Sequence, residues 1–165
     1  MPVMAEAGLS AVIPAKTEAA ALPFLRTVAD PEAASGDRIM ALRYMQRDVP
    51  AQRIGGASVP RPTGEINNHI HTIYSFSPYT PTMAAWRARA ARLSVAGSVD
   101  HDSVAAATEM LEACAVLGIG STVGFELRVS CAGSPFAGRK LNNPDSIGIA
   151  YMTIQGIPRS TLPQA

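Results

Sequence analysis

From Glu65 onward the apolar and polar positions fall into blocks with two alternating periods. Ile66–Ile73 reads as a strand and runs into the Ser-, Pro- and Tyr-rich loop Tyr74–Pro81. Thr82 is placed to cap a helix reaching about Leu93, with Met83, Trp86, Ala90 and Leu93 on one face. Ser94–Val99, rich in small and β-branched residues, predicts a second strand. Asp102 or Ser103 is placed to cap a second helix, in which Val104, Ala107, Leu111 and Cys114 recur at helical spacing and Gly118 stands as the terminating residue. Ile119–Val129 and Ile147–Ile157 read as a third and a fourth strand, separated by the turn-rich stretch Cys131–Ser146 with its Asn143-Pro144-Asp145. Strand, helix, strand, helix, strand predicts an α/β fold built of right-handed βαβ units, with parallel strands and intervening helices.

Residues 1–64 are less regular and read as an N-terminal extension packed against a domain of residues 65–165. Two short helices are expected there. One covers about Glu18–Val28 and is interrupted by Pro23; the other covers about Gly36–Arg47, where Ile39, Leu42 and Met45 recur three apart. Breakers then crowd Val49-Pro50, Gly55-Gly56 and Pro60-Arg61-Pro62.

A chain of 165 residues fits one domain of ordinary size. Its net charge of +1 supplies no field to hold nucleic acid or an anionic membrane, and 5% aromatics make no stacking platform for single strands. No apolar run approaches the roughly 18 residues of a membrane span. The first basic residue is Lys16, and Gly8–Ala15 is broken by Ser10 and Pro14, which is not a secretory signal. Cys114 and Cys131 have no CxxC spacing and make no disulfide framework, and Cys114 falls on the apolar helix face as a buried thiol. These features point to a cytoplasmic protein.

All the histidines lie at the C-terminal ends of the first two strands. His69 and His71 form an HxH pair; residues two apart on a strand face one side, so both imidazoles can address one ion. His101 follows within Asp100-His101-Asp102, and Glu126 within Gly124-Phe125-Glu126-Leu127, each about one strand-plus-helix unit further on. Parallel strands with short crossovers bring successive C-terminal ends together. Imidazoles and carboxylates converging there are the ligand types that hold Zn²⁺, Mn²⁺ or Fe²⁺. Taken singly, each has a structural explanation: an isolated HxH can serve packing, Asp102 can be a helix cap, and Glu126 can pair with Arg128 on the same face. Taken together, they point to a metal site.

Asn67-Asn68-His69-Ile70-His71-Thr72-Ile73-Tyr74-Ser75 resembles the first motif of the PHP family, the polymerase and histidinol phosphatase domain. Val99-Asp100-His101-Asp102-Ser103 resembles its second motif, and Gly124-Phe125-Glu126-Leu127 is similar to its Gly-Ile-Glu-Leu strand. The resemblance covers roughly residues 65–157. It implies a (β/α)7-type barrel, here incomplete, with two or three divalent ions in a complete site and hydrolysis of phosphoesters in many members. By motif, His69 and His71 would hold one metal, Glu126 would bridge two, His101 would serve a further one, and Asp100 would be a neighbouring carboxylate. Asn67 stands where the family has Asp, Phe76-Ser77 where it has a further ligand, and no histidine follows His101. The sequence therefore reads as the N-terminal portion of a longer chain, weakly active or inactive alone, which would pair with a missing C-terminal part or with a second copy.

The expected function is metal-dependent hydrolysis of a small phosphorylated or anionic substrate, with His69, His71, His101 and Glu126 as ligands and Asp100 and Arg128 as catalytic residues. The alternatives are a non-catalytic metal-binding module and an amidohydrolase-like barrel, which also begins with HxH on its first strand.

Overall fold

A computed structural model of the chain describes residues 23–48, 62–142 and 145–162. Residues 23–29 are helical (α1) and α2 spans Ser35–Asp48; the proposed helical residues before 23, the breaker loop at 49–61 and the Asn143-Pro144 pair lie outside the described residues. Next come β1 (Ile66–Ile70), α3 (Pro81–Ala90), β2 (Val95–His101), α4 (Ala107–Leu117), β3 (Gly120–Ser130) and β4 (Ile149–Gln155).

Thr80, not Thr82, caps α3: its hydroxyl oxygen accepts the Met83 N–H at 3.0 Å, and Pro81 takes the first helical position, where its missing N–H costs nothing. Thr82 instead donates its hydroxyl to Glu109 at 2.7 Å. Neither Asp102 nor Ser103 caps α4. The chain turns tightly after β2, Asp102 adopts a left-handed backbone with φ 54°, and the helix begins only at Ala107, behind Ala106, with no capping side chain. Gly118 ends α4 at φ 67°, a conformation that spares a residue without Cβ the steric penalty.

The strands form one curled sheet in the order β1-β2-β3-β4, a half-barrel. β1 and β2 are parallel, with a register irregularity between Asn67 and Ile70, and β2 and β3 are parallel from Val95↔Gly120 to His101↔Glu126. The expectation of an all-parallel sheet fails at β4, which runs antiparallel to β3 from Gly124↔Gln155 to Ser130↔Ile149. A parallel return needs a crossover of a dozen or more residues, usually a helix, and residues 131–148 contain none among those described. Gly124 lets β4 approach, since a Cβ there would run into the Ile154 carbonyl. The curl also brings the outer strands together, with the Asn68 amide donating to the Gln155 side chain.

α3 and α4 pack on each other and on one face of the sheet, and α2 lies against both. Leu25, Val28, Ile39, Leu42 and Met45 from residues 23–48 join Met83, Trp86, Met110, Cys114, Leu117 and Ala96 in one core. Each large buried side chain contributes about 1.5–3 kcal/mol. Burial pushes the Cys114 thiol up to about 11, leaving it protonated and inert.

Within this core lies an ion pair whose side chains are each 3% exposed. The Arg38 guanidinium donates from Nε to Glu109 Oε1 at 2.8 Å and from Nη2 to Oε2 at 2.6 Å. Its Nη1 donates to the carbonyls of Asp30, Pro31 and Ala33, while Glu109 Oε1 also accepts the N–H and hydroxyl of Thr82. This ties α2, α4 and the start of α3 together. Among the described residues, no helix is long and apolar enough to cross a membrane.

Candidate metal centre

Strand alternation sends the side chains of β2 to opposite faces. Ala96 joins the helix-side core, so Val99 and His101 point to the other side. The register then sets Glu126 beside His101, since the two are direct partners across β2 and β3. His69 is the penultimate residue of β1, and His71 lies just beyond the strand's last residue, Ile70. Ile70 packs toward the helix-side core, leaving the histidines flanking it on the far face.

Three imidazoles thereby surround one carboxylate oxygen. His101 Nε2 lies 3.4 Å from Glu126 Oε2, His69 Nε2 at 3.8 Å and His71 Nε2 at 3.9 Å. For His69, His71 and Glu126, one donor atom from each lies within 4.8 Å of the others. His101 stands beside this trio, its ring stacked on His71 at 4.9 Å between centroids and 7° between planes. The pocket grades from open to closed: the His69 side chain is 39% exposed and His101 14%.

These groups are poorly satisfied by one another. Among the described residues the Glu126 carboxylate has one further hydrogen bond, from the Thr153 hydroxyl to Oε1 at 3.5 Å. His101 Nδ1 is buried without a hydrogen-bond partner among the described residues. Burial holds the His71 pKa below its ordinary value, and the neighbouring His101 and His69 push it the same way against the pull of Glu126 and Asp100. A neutral imidazole keeps a lone pair free, so this environment favours the ligating form. Nitrogen and carboxylate donors with unspent lone pairs fit Zn²⁺, Mn²⁺ or Fe²⁺.

Asp100 sits elsewhere. It points to the opposite face of β2 from His101, is 1% exposed, and accepts the Thr72 N–H at 2.6 Å, the Thr72 hydroxyl at 2.7 Å and the Ser75 hydroxyl at 2.8 Å. It therefore anchors the loop after β1 through Thr72 and Ser75. Arg128, two residues beyond Glu126, pairs with Asp102 and not with Glu126, its Nη2 donating at 2.6 Å. That exposed pair holds the Asp102 carboxyl below the usual carboxylate range.

Two rings near His101 were not singled out as site residues from sequence. Phe76, 81% exposed, meets the His101 ring edge-on at 4.9 Å, and Tyr151 does so at 5.2 Å from β4. Tyr151 is the register partner of Arg128, a signal available only once β4 is known to run antiparallel.

No family model matches the chain, and no curated protein matches it. One solved structure is similar in part: a protein of Bifidobacterium adolescentis, inferred to be a metal-dependent phosphoesterase. It is 28% identical with a TM-score of 0.39, over 42% of this chain and 24% of its own. The likeness is local, and the matched region spans about a quarter of that protein's length.

Proposed function

We propose that this chain carries the metal centre of a PHP-type hydrolase acting on phosphoesters. The observation that carries the reading is the convergence of three Nε2 atoms on Glu126 Oε2 at 3.4–3.9 Å, from residues that also stand in PHP-like motif positions. His69, His71 and Glu126 are the residues that would hold a first divalent ion, with His101 beside them for a further one and two or three ions in a complete site. A divalent ion there supplies Lewis-acid activation of water and neutralises charge on phosphoryl oxygens. Arg128, on the same strand face as Glu126, is the cation available to orient an anionic substrate once it leaves Asp102. Asp100 acts at a distance, by holding the loop that carries His71. In this reading β1, α3, β2, α4 and β3 are the opening units of a (β/α)7-type barrel.

A second reading is favoured by one element. β4 runs antiparallel where such a barrel continues parallel, which suits a metal-binding module without turnover. One experiment addresses both: hydrolysis of p-nitrophenyl phosphate by the Zn²⁺- or Mn²⁺-loaded protein, beside a His71→Ala control. Turnover that is lost with the chelated metal and in the variant supports the hydrolase; tight metal binding without turnover supports the module; no metal binding removes both.

A further inference from the structure

Hydrogen counting around Ser75 fixes which nitrogen of His71 is free. Ser75 Oγ lies 2.8 Å from Asp100 Oδ1 and 3.1 Å from His71 Nδ1. A hydroxyl has one hydrogen to give, and a carboxylate can only accept. The serine hydrogen therefore goes to Asp100, and Oγ meets His71 with its lone pairs. His71 Nδ1 must then carry the imidazole proton, which leaves Nε2 as a bare lone pair on the side of Glu126, 3.9 Å away.

We propose that Asp100 and Ser75 are positioning residues that set the Nδ1–H tautomer and ring orientation of His71, so that its Nε2 is ready as a ligand before any ion arrives. The last step rests on the metal-centre reading above; the tautomer itself does not. Asp100 suits the task because its other bonds are strong and local. The backbone N–H and hydroxyl of Thr72, the residue after His71, both donate to it, so one buried carboxylate holds the loop's course and the proton's place. The neighbouring histidines lack this device. Among the described residues His101 Nδ1 has no hydrogen-bond partner, and at His69 the bond to Asn67 Oδ1 comes from the backbone N–H and not from the ring. An imidazole with its second nitrogen held by an acceptor is the usual arrangement around bound metals, and loss of that partner commonly lowers metal affinity 10–100-fold.

The test is long-range ¹H–¹⁵N correlation on the metal-free, ¹⁵N-labelled full chain above the histidine titration range, with Zn²⁺ titration of the same samples. The wild-type protein should show His71 with a pyrrole-like Nδ1 and a pyridine-like Nε2, the reverse of the preference of a free imidazole side chain. Ser75→Ala should lose this preference and bind Zn²⁺ about tenfold more weakly; Ser75→Thr, which keeps the hydroxyl, should restore both. Asp100→Asn should keep the His71 tautomer, since the amide oxygen must still face the Thr72 N–H at the Oδ1 position and so still accepts the serine hydrogen, while its NH2 meets the Thr72 hydroxyl. A wild-type spectrum with the proton on Nε2 overturns the proposal without any variant, as does a Ser75→Ala spectrum unchanged at His71. Should the tautomer respond as stated while no sample binds Zn²⁺, the relay stands and the metal-centre reading fails.

Discussion

Two clusters of charged and titratable side chains share this small molecule, and they are built on opposite principles. Around Arg38 and Glu109, donors and acceptors are matched: both carboxylate oxygens, Nε and both terminal nitrogens of the guanidinium, and the backbone and hydroxyl of Thr82 are all engaged, in a setting closed to water. Around Glu126, three imidazole nitrogens lie within 3.9 Å of one carboxylate oxygen without closing one another's hydrogen-bonding capacity, in a pocket open at His69. The residue types do not separate a structural cluster from a binding site. Unspent lone pairs do. A buried ion pair joins helices only when every polar atom is satisfied, whereas the far face of the sheet leaves capacity for a guest.

Breaking the closed cluster should have the largest effect. Glu109→Ala leaves the Arg38 guanidinium buried without its partner and should destabilise the fold by about 3–5 kcal/mol, read from the denaturant midpoint. Glu126→Gln sharpens the contrast. In metal-free protein at neutral pH it should change stability by less than about 1 kcal/mol, while Zn²⁺ affinity falls at least about tenfold because a charged ligand is lost. If the carboxyl changes were interchangeable in their cost to folding, the distinction between the clusters would be wrong.

A smaller effect comes from His71. Its folded pKa lies below the ordinary 6.5, so between those values the unfolded chain binds a proton that the folded one does not. The stability it contributes is complete above pH 6.5 and drains away as pH falls through the folded pKa. His71→Ala should flatten that part of the pH–stability curve, measured by urea unfolding at a series of pH values. Smallest of all is the rim. Arg128 and Asp102 are exposed, so Arg128→Ala should leave the unfolding midpoint where it is. Any effect it has should appear in the binding of an anionic phosphoester.

The second cluster was more legible than the first. His69, His71, His101 and Glu126 announced themselves because residue type and spacing of one βα unit are local facts, and the His101↔Glu126 register brings them together. Arg38 and Glu109 lie 71 residues apart on two helices, where each reads as an ordinary polar position, and only tertiary packing pairs them. The antiparallel course of β4 was legible in principle, because the turn-rich stretch before it has no helical period to carry a parallel crossover. Helix starts were read a few residues off for a common reason. Thr82 and Asp102 are good cap types, but Thr82 is taken by Glu109 and Asp102 by Arg128, while Thr80 with Pro81 gives the better start.

The central claim is that the cluster around Glu126 is a ligand set, and calorimetric titration of Zn²⁺ into the wild-type chain and His71→Ala tests it most directly. Wild-type protein should bind stoichiometrically at neutral pH and lose affinity through roughly pH 7 to 5, since only neutral imidazole ligates. His71→Ala should bind at least about tenfold more weakly, having lost one of three protein ligands. Equal affinity in the two proteins, or no binding to either, would contradict the account.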